Sequence, residues 1–156
     1  MNRRAVLCTI AAVSVGGAWA APFVKIAVHK SPSCGCCGDW VRHLEDAGFQ
    51  VSIVESADLS PLKTKAGVPA ALQSCHTAFV GGYIVEGHVP AATISRLLAA
   101  RPAIRGIAVP GMPIGSPGID VPGEKSEPFR VMAFGESGAP RVFEDFPEGY
   151  RRSPAR

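Results

Sequence analysis

Four of the five cysteines fall in two places: Cys34, Cys36 and Cys37 within four residues, and Cys75 with His76 directly after it. A thiolate attacks disulfides and binds soft metal ions, so this set could staple, exchange or ligate. As a staple, Cys34 with Cys37 is an easy pair. Cys36 with Cys37 is a poor one, because adjacent α-carbons lie only about 3.8 Å apart. Pairing Cys36 with Cys75 requires the later segment to fold over the first. As a redox device, Cys34 and Cys37 form a CxxC dithiol and leave two sulfurs over. A metal site uses all four. Four sulfurs suit Cu(I), with zinc and iron–sulfur as rivals. One tetrahedral zinc ion normally takes two separated pairs, whereas three sulfurs in four residues suit bridging thiolates in a small polynuclear copper site.

Other donors stand nearby in the chain. His76 is either a ligand beside Cys75 or a polar residue satisfied by backbone. Met112 offers a thioether, which suits Cu(I) and is a poor zinc ligand, or else fills a gap over the core. His88 opens a helix and reads as a ligand or a cap-region residue. His43 lies beside Glu45 and Asp46, which points to a solvated face, and His29 is an outer candidate at a strand end.

The elements that must position these residues follow from periodicity. Phe23 to His29 alternates and is β-branched, so it reads as a strand, broken by Ser31-Pro32-Ser33. Ser33 then reads as an N-cap, with a helix to Ala47 stopped at Gly48 and with Trp40, Val41, Leu44 and Ala47 on its apolar face. The thiols therefore open a helix, where unpaired N–H groups and the positive dipole end favour thiolate. Phe49 to Val54 is the next strand. Asp58 to Ala66 holds a short helix with Ser60 as cap, Pro61 in its first turn and Gly67 as terminator. Thr77 to Val80 and Tyr83 to Glu86 flank Gly81-Gly82, a two-residue hairpin signal. Pro90 opens a helix with Ile94, Leu97 and Leu98 as its stripe, ended by Pro102. The order is βαβαββα. Eight of the fifteen residues from Val109 to Gly123 are Pro or Gly, which excludes regular structure. Phe129 to Phe134 and Arg141 to Phe146 read as a closing hairpin around Ser137-Gly138.

The chain has 156 residues, 47% of them hydrophobic, and a formal charge of +3. That length is one domain's worth and the composition excludes wholesale disorder. No basic stripe or nucleic-acid-binding motif appears, so nucleic acid is not expected as a partner. Residues 1–20 read as a secretory signal: Arg3 and Arg4, an apolar run from Ala5 to Ala18, and Ala18-Trp19-Ala20 before a cut after Ala20. The run is shorter than the roughly 20 residues a membrane span needs. Arg3-Arg4 also resembles, weakly, a twin-arginine signal, and Cys8 would leave with it. The uncharged stretch from Gly67 to Val85 contains Pro69, Gln73, His76, Gly81 and Gly82 and is no span. Residues 21–148 then form a single exported domain, with 149–156 a polar tail, in a compartment that permits disulfides.

Cys34-Gly35-Cys36-Cys37-Gly38, Ser74-Cys75-His76-Thr77, Gly82-Tyr83 with Glu86-Gly87-His88-Val89-Pro90, and Gly106-Ile107-Ala108-Val109-Pro110-Gly111-Met112-Pro113 with Gly115-Ser116-Pro117-Gly118 occur in this order. Together, over roughly Val24 to Phe146, they resemble the family known as domain of unknown function 411, which includes periplasmic copper-resistance proteins. The resemblance implies a thioredoxin-like α/β fold, here with an added Pro/Gly-rich loop and C-terminal β-hairpin, and a periplasmic Cu(I)-binding role with a redox component. It implies Cys34, Cys36, Cys37 and Cys75 as thiolate positions, with His76, His88 and Met112 in matching segments. Ile119-Asp120 departs from the family, where Met then Glu is more usual, so a second thioether is missing. Pro69 after Gly67-Val68 resembles the cis-proline signature of thioredoxins, but here Cys75, rather than a proline, stands just before the next strand. That favours metal handling over general oxidoreductase work.

The resulting expectation is a copper binder rather than an enzyme, with copper ions, and other periplasmic copper-handling proteins, as partners. The alternative is a thiol–disulfide oxidoreductase using Cys34 and Cys37. A ferredoxin-like fold is disfavoured because Ser56 to His76 is too long for its direct hairpin.

Overall fold

A computed structural model describes residues 23–135 and 138–151. The signal and its cleavage site, Cys8, Ser137 of the closing hairpin, and the last five residues of the tail lie outside them. Among the described residues no helix is long and apolar enough to cross a membrane.

The alternating, β-branched segments form strands and the 3.6-period segments form helices, in a mixed α/β arrangement. In chain order these are β1 (Lys25–Lys30), α1 (Gly35–Asp46), β2 (Gln50–Glu55), α2 (Ser60–Ala66), a 3-10 turn (Ala70–Leu72), β3 (His76–Val80), β4 (Tyr83–Glu86), α3 (Ala91–Ala100), β5 (Gly106–Ala108), β6 (Phe129–Phe134) and β7 (Arg141–Phe146). The seven strands make one sheet in the order β2-β1-β3-β4-β5-β6-β7. β1 and β2 are parallel, as are β4 and β5; the other neighbours are antiparallel. Gly81 and Gly82, both at positive φ, make the two-residue turn between Val80 and Tyr83.

Side-chain alternation divides the sheet between two cores. Val28, Val85 and Ile107 join Trp40 and Leu44 of α1 and Ile94 and Leu97 of α3 on one face. Ile84, Ala108 and Phe134 join Ala66, Val68 and Leu72 on the other. The sulfur-bearing turns emerge at the end of β1 and the start of β3, which are hydrogen-bonded neighbours: Lys30 pairs with His76. That pairing sets the site.

Several expectations change. β5 is a strand the sequence reading lacks, because three residues opening on glycine carry almost no period-two signal. The α1 N-cap is Cys34, one residue later than Ser33, whose hydroxyl lies 3.0 Å from that of Ser31 instead. The α2 N-cap is Leu59 and the capping acceptor is Asp58, which takes the Ser60 N–H at 2.8 Å. Ala47 is exposed, not in the core. β3 begins at His76, so the histidine is the strand's first residue.

Candidate metal centre

The site has two walls. The first is the opening turn of α1. Cys34, the N-cap, offers no side-chain cap bond, so the sulfur sits at the unpaired end of the helix. Three residues on, Cys37 comes round to the same face, and the two form a disulfide with α-carbons 5.4 Å apart. Cys34 is half-buried and Cys37 fully buried. Cys36 remains a free thiol, and its S–H donates to the Cys34 sulfur at 3.5 Å.

The second wall comes from the sheet. Cys75, also free, stands one residue before β3 and brings its sulfur to the α1 turn: the sulfurs of Cys34, Cys36, Cys37 and Cys75 all lie within 4.8 Å of one another. Burial, chiefly, pushes the Cys75 thiol up to about 11, with the Cys36 thiol adding to the rise and the Ser74 hydroxyl opposing it.

Two histidines reach the same sulfur. His76 Nδ1 is 3.2 Å and His88 Nε2 3.0 Å from Cys75 Sγ. Both rings are fully buried and meet edge to face, centroids 4.8 Å apart, and Trp40 packs on His76 with centroids 4.2 Å apart. His88 Nδ1 donates to the Pro117 carbonyl at 2.8 Å, since a carbonyl only accepts. The neutral His88 ring therefore presents a bare Nε2 lone pair to Cys75. Among the described residues His76 Nε2 has no hydrogen-bond partner. Burial foremost, then His88 and Lys63, holds His76 well below the ordinary imidazole range, opposed in part by the Gly87 backbone. Burial likewise lowers His88. Two neutral imidazoles beside a cluster of thiols form a donor set that fits a thiophilic metal ion.

Close packing holds the walls together. At Gly87, φ +70°, a Cβ would lie 2.6 Å from the Val109 carbonyl and 2.7 Å from Ser74 Cβ, so only glycine lets His88 turn back over Cys75. At Gly118, φ +88°, a Cβ would lie 2.7 Å from Trp40 N and 2.8 Å from Cys36 O. The Pro/Gly loop is thus seated directly on the first turn of α1. Trp40 Nε1 donates to the Val89 carbonyl at 2.9 Å and ties α1 to the His88 segment.

A buried network that the sequence reading missed anchors the second wall. Glu86, fully buried, pairs with Lys63, accepts from the Thr77 hydroxyl at 2.6 Å, and accepts the Ser74 backbone N–H at 2.7 Å. Lys63 also donates to Thr77 Oγ1 at 3.0 Å. The carboxylate thereby fixes the residue before Cys75. Glu86 and Lys63 look like ordinary surface charges in a one-dimensional reading; the pairing of β3 with β4 sets Glu86 beside Thr77, and α2 brings Lys63 to both.

The remaining candidates separate. Met112 is 56% exposed, which removes the core-filler alternative; its loop is tied to the site by the Ser74 hydroxyl donating to the Gly111 carbonyl at 2.5 Å. His43 is half-buried rather than simply solvated, and its Nε2 accepts the Ala91 N–H at 3.0 Å, at the start of α3. His29 lies edge-on to Phe79 at 5.5 Å and is outside both donor clusters.

Residues 72–119 match the family described as "Protein of unknown function, DUF411". Two solved structures, described as "Copper resistance protein copG" in Form 2 and Form 1, are each 44% identical to this chain with a TM-score of 0.74. They cover 80% of this chain, which spans 99% and 98% of theirs. The chain belongs to the DUF411 family. Curated proteins give no match. The family segment contains Cys75, His76, His88 and Met112, so it covers the sheet wall, whereas Cys34, Cys36 and Cys37 precede it.

Proposed function

We propose that the protein binds copper as Cu(I) in the periplasm, through the thiolates of Cys34, Cys36, Cys37 and Cys75. One observation carries the reading: Cys75, from a distant segment, places its sulfur within 4.8 Å of three sulfurs at the mouth of α1. Four soft donors at that spacing suit Cu(I), with zinc as the rival ion. The names of the two similar structures point to copper. The strand order β2-β1-β3-β4, with a dithiol opening α1, supports a thioredoxin-like core extended by β5, β6 and β7. In that core Cys75 fills the space where a substrate disulfide would dock.

Ligation by all four requires the Cys34–Cys37 bond to be open. An external dithiol supplies two electrons and two protons, is itself oxidised to a disulfide, and leaves two thiols here. Those thiols, Cys36 and Cys75 then lose protons as the ion enters, so uptake weakens in acid. His76 and the exposed Met112 modulate entry. Anaerobic Cu(I) titration with metal analysis, on reduced protein and on Cys75→Ser, tests the reading. Cys75→Ser should lower affinity at least about 100-fold, since even outer partners of a metal ligand are worth 10–100-fold. Parental binding by that variant refutes the fourth sulfur.

A second reading is favoured by the formed Cys34–Cys37 bond with Cys34 at the more accessible end: a thiol–disulfide oxidoreductase. Insulin reduction by copper-free protein, abolished in Cys34→Ser, would support it.

A further inference from the structure

With Cys34 and Cys37 bonded to each other, two of the four sulfurs cannot act as thiolates, yet the site keeps a complete second donor set. We infer that the disulfide form of this protein carries a distinct site for one borderline divalent ion of the Zn2+ class, ligated by Cys75 Sγ, His76 Nδ1 and His88 Nε2. The inference rests on reading this pocket as a metal site, but not on Cu(I) or on the α1 thiols.

Three observations support it. First, the three donor atoms already converge: Sγ to the two nitrogens is 3.2 and 3.0 Å, and one atom from each residue lies within 4.8 Å of the others. An ion bound tetrahedrally at about 2.3 Å from sulfur and 2.0–2.1 Å from nitrogen subtends roughly 3.5 Å between them. A widening of a few tenths of an ångström therefore admits it. Second, the Pro117 carbonyl takes the Nδ1 proton of His88, which fixes the tautomer whose free nitrogen points at Cys75; metal-bound imidazoles are oriented by this kind of outer partner. Third, His76 is fully buried and aims Nδ1 at the same sulfur. The Trp40 and His88 rings pack against it, so Nδ1 stays aimed at Cys75 Sγ and at a cation seated beside that sulfur.

Donor chemistry separates this site from the four-sulfur one. Two imidazoles and one sulfur suit zinc, whereas all-sulfur ligation suits a softer ion. The oxidation state of Cys34 and Cys37 then decides which donor set the pocket offers, while Cys75 belongs to both.

The test uses mature protein with the disulfide intact, checked by counting two free thiols, and titrates it with Co2+ as a spectroscopic stand-in for zinc. One equivalent should bind, with sulfur-to-cobalt charge transfer and the visible bands of low-coordinate cobalt, and added Zn2+ should displace it. Cys34→Ser/Cys37→Ser should still bind Co2+, while its reduced form loses the four-sulfur Cu(I) site; that contrast separates failure of one reading from failure of the other. His88→Gln should weaken Co2+ about 10-fold or more. Should His88→Gln not fold, X-ray absorption of the zinc-loaded parent decides: sulfur together with two imidazoles supports the site. No Co2+ uptake by the disulfide form, or a metal shell without imidazole, overturns it.

Discussion

The two walls of the site are built on opposite terms. The α1 wall takes three sulfurs from four consecutive residues and holds them at the open end of a helix, half-buried except at Cys37. The sheet wall takes Cys75, His76 and His88 from either side of a hairpin and holds them among buried rings and charges. Reactivity on the first side comes from local backbone geometry. On the second, the donors are quiet until something binds, and their placement depends on a buried polar network.

If so, breaking that network should do far more damage than breaking a charge pair on α1. Glu86→Gln leaves the Lys63 ammonium buried without its counter-charge and loosens the Ser74 anchor. Removing one partner of such a pair destabilises by about 3–5 kcal/mol. Asp39→Asn breaks the exposed Asp39–Arg42 pair on α1 and should change stability by no more than about 1 kcal/mol. Urea unfolding of the two variants measures the contrast, and equal losses would abolish it.

A smaller effect distinguishes the thiols themselves. Burial raises Cys75 from the ordinary 9.0 to about 11. At pH 8 its thiolate fraction is then about 100-fold below that of an ordinary cysteine, and only the thiolate is alkylated. Iodoacetamide on the disulfide form, followed by peptide mass analysis, should label Cys75 about 100-fold more slowly than a model thiol. The rate should climb about tenfold per pH unit until near 11. The sign for stability follows: a raised thiol favours the fold below 9.0, and that contribution fades as pH rises through 11. Labelling at the model-thiol rate would mean that the sheet wall is as open as α1.

The same asymmetry explains what could be read from the sequence. Cys34-Gly35-Cys36-Cys37 at a strand-to-helix handover announces itself, because its chemistry and its geometry are both local. Most strands and helices were legible for the same reason: period and punctuation are local signals. The short strand β5 was not, since three residues hold less than two periods. Ser33 and Ser60 were read as caps by residue type, while the chain places Cys34 and Leu59 there. Cys75 and His76 stood out by type, but that His88 turns back across a hairpin onto the same sulfur depends on Gly87. Thr77 and Glu86 stand in recognisable motifs but without a role, and Lys63 stands in none, because a buried ion pair and a surface pair look identical before α2 is packed on the paired strands.

The smallest effect tests whether the walls are coupled away from the metal donors. His43, on the α1 side, accepts the Ala91 N–H, one of the unpaired donors at the start of α3, whose cap residue Pro90 supplies no side-chain bond of its own. It does for α3 what a side-chain cap does locally, but across the interface between the two helices. Loss of such a cap removes typically about 1 kcal/mol. His43→Ala should therefore lower Tm by several degrees, roughly 2–8 °C per kcal/mol for domains of this size range. Metal affinity should stay within about twofold, a change worth less than 0.5 kcal/mol. A larger loss of affinity would show that the pose of α3 reaches His88 through Val89 and Pro90. The two walls would then behave as one cooperative unit, and their contrast would be one of exposure alone.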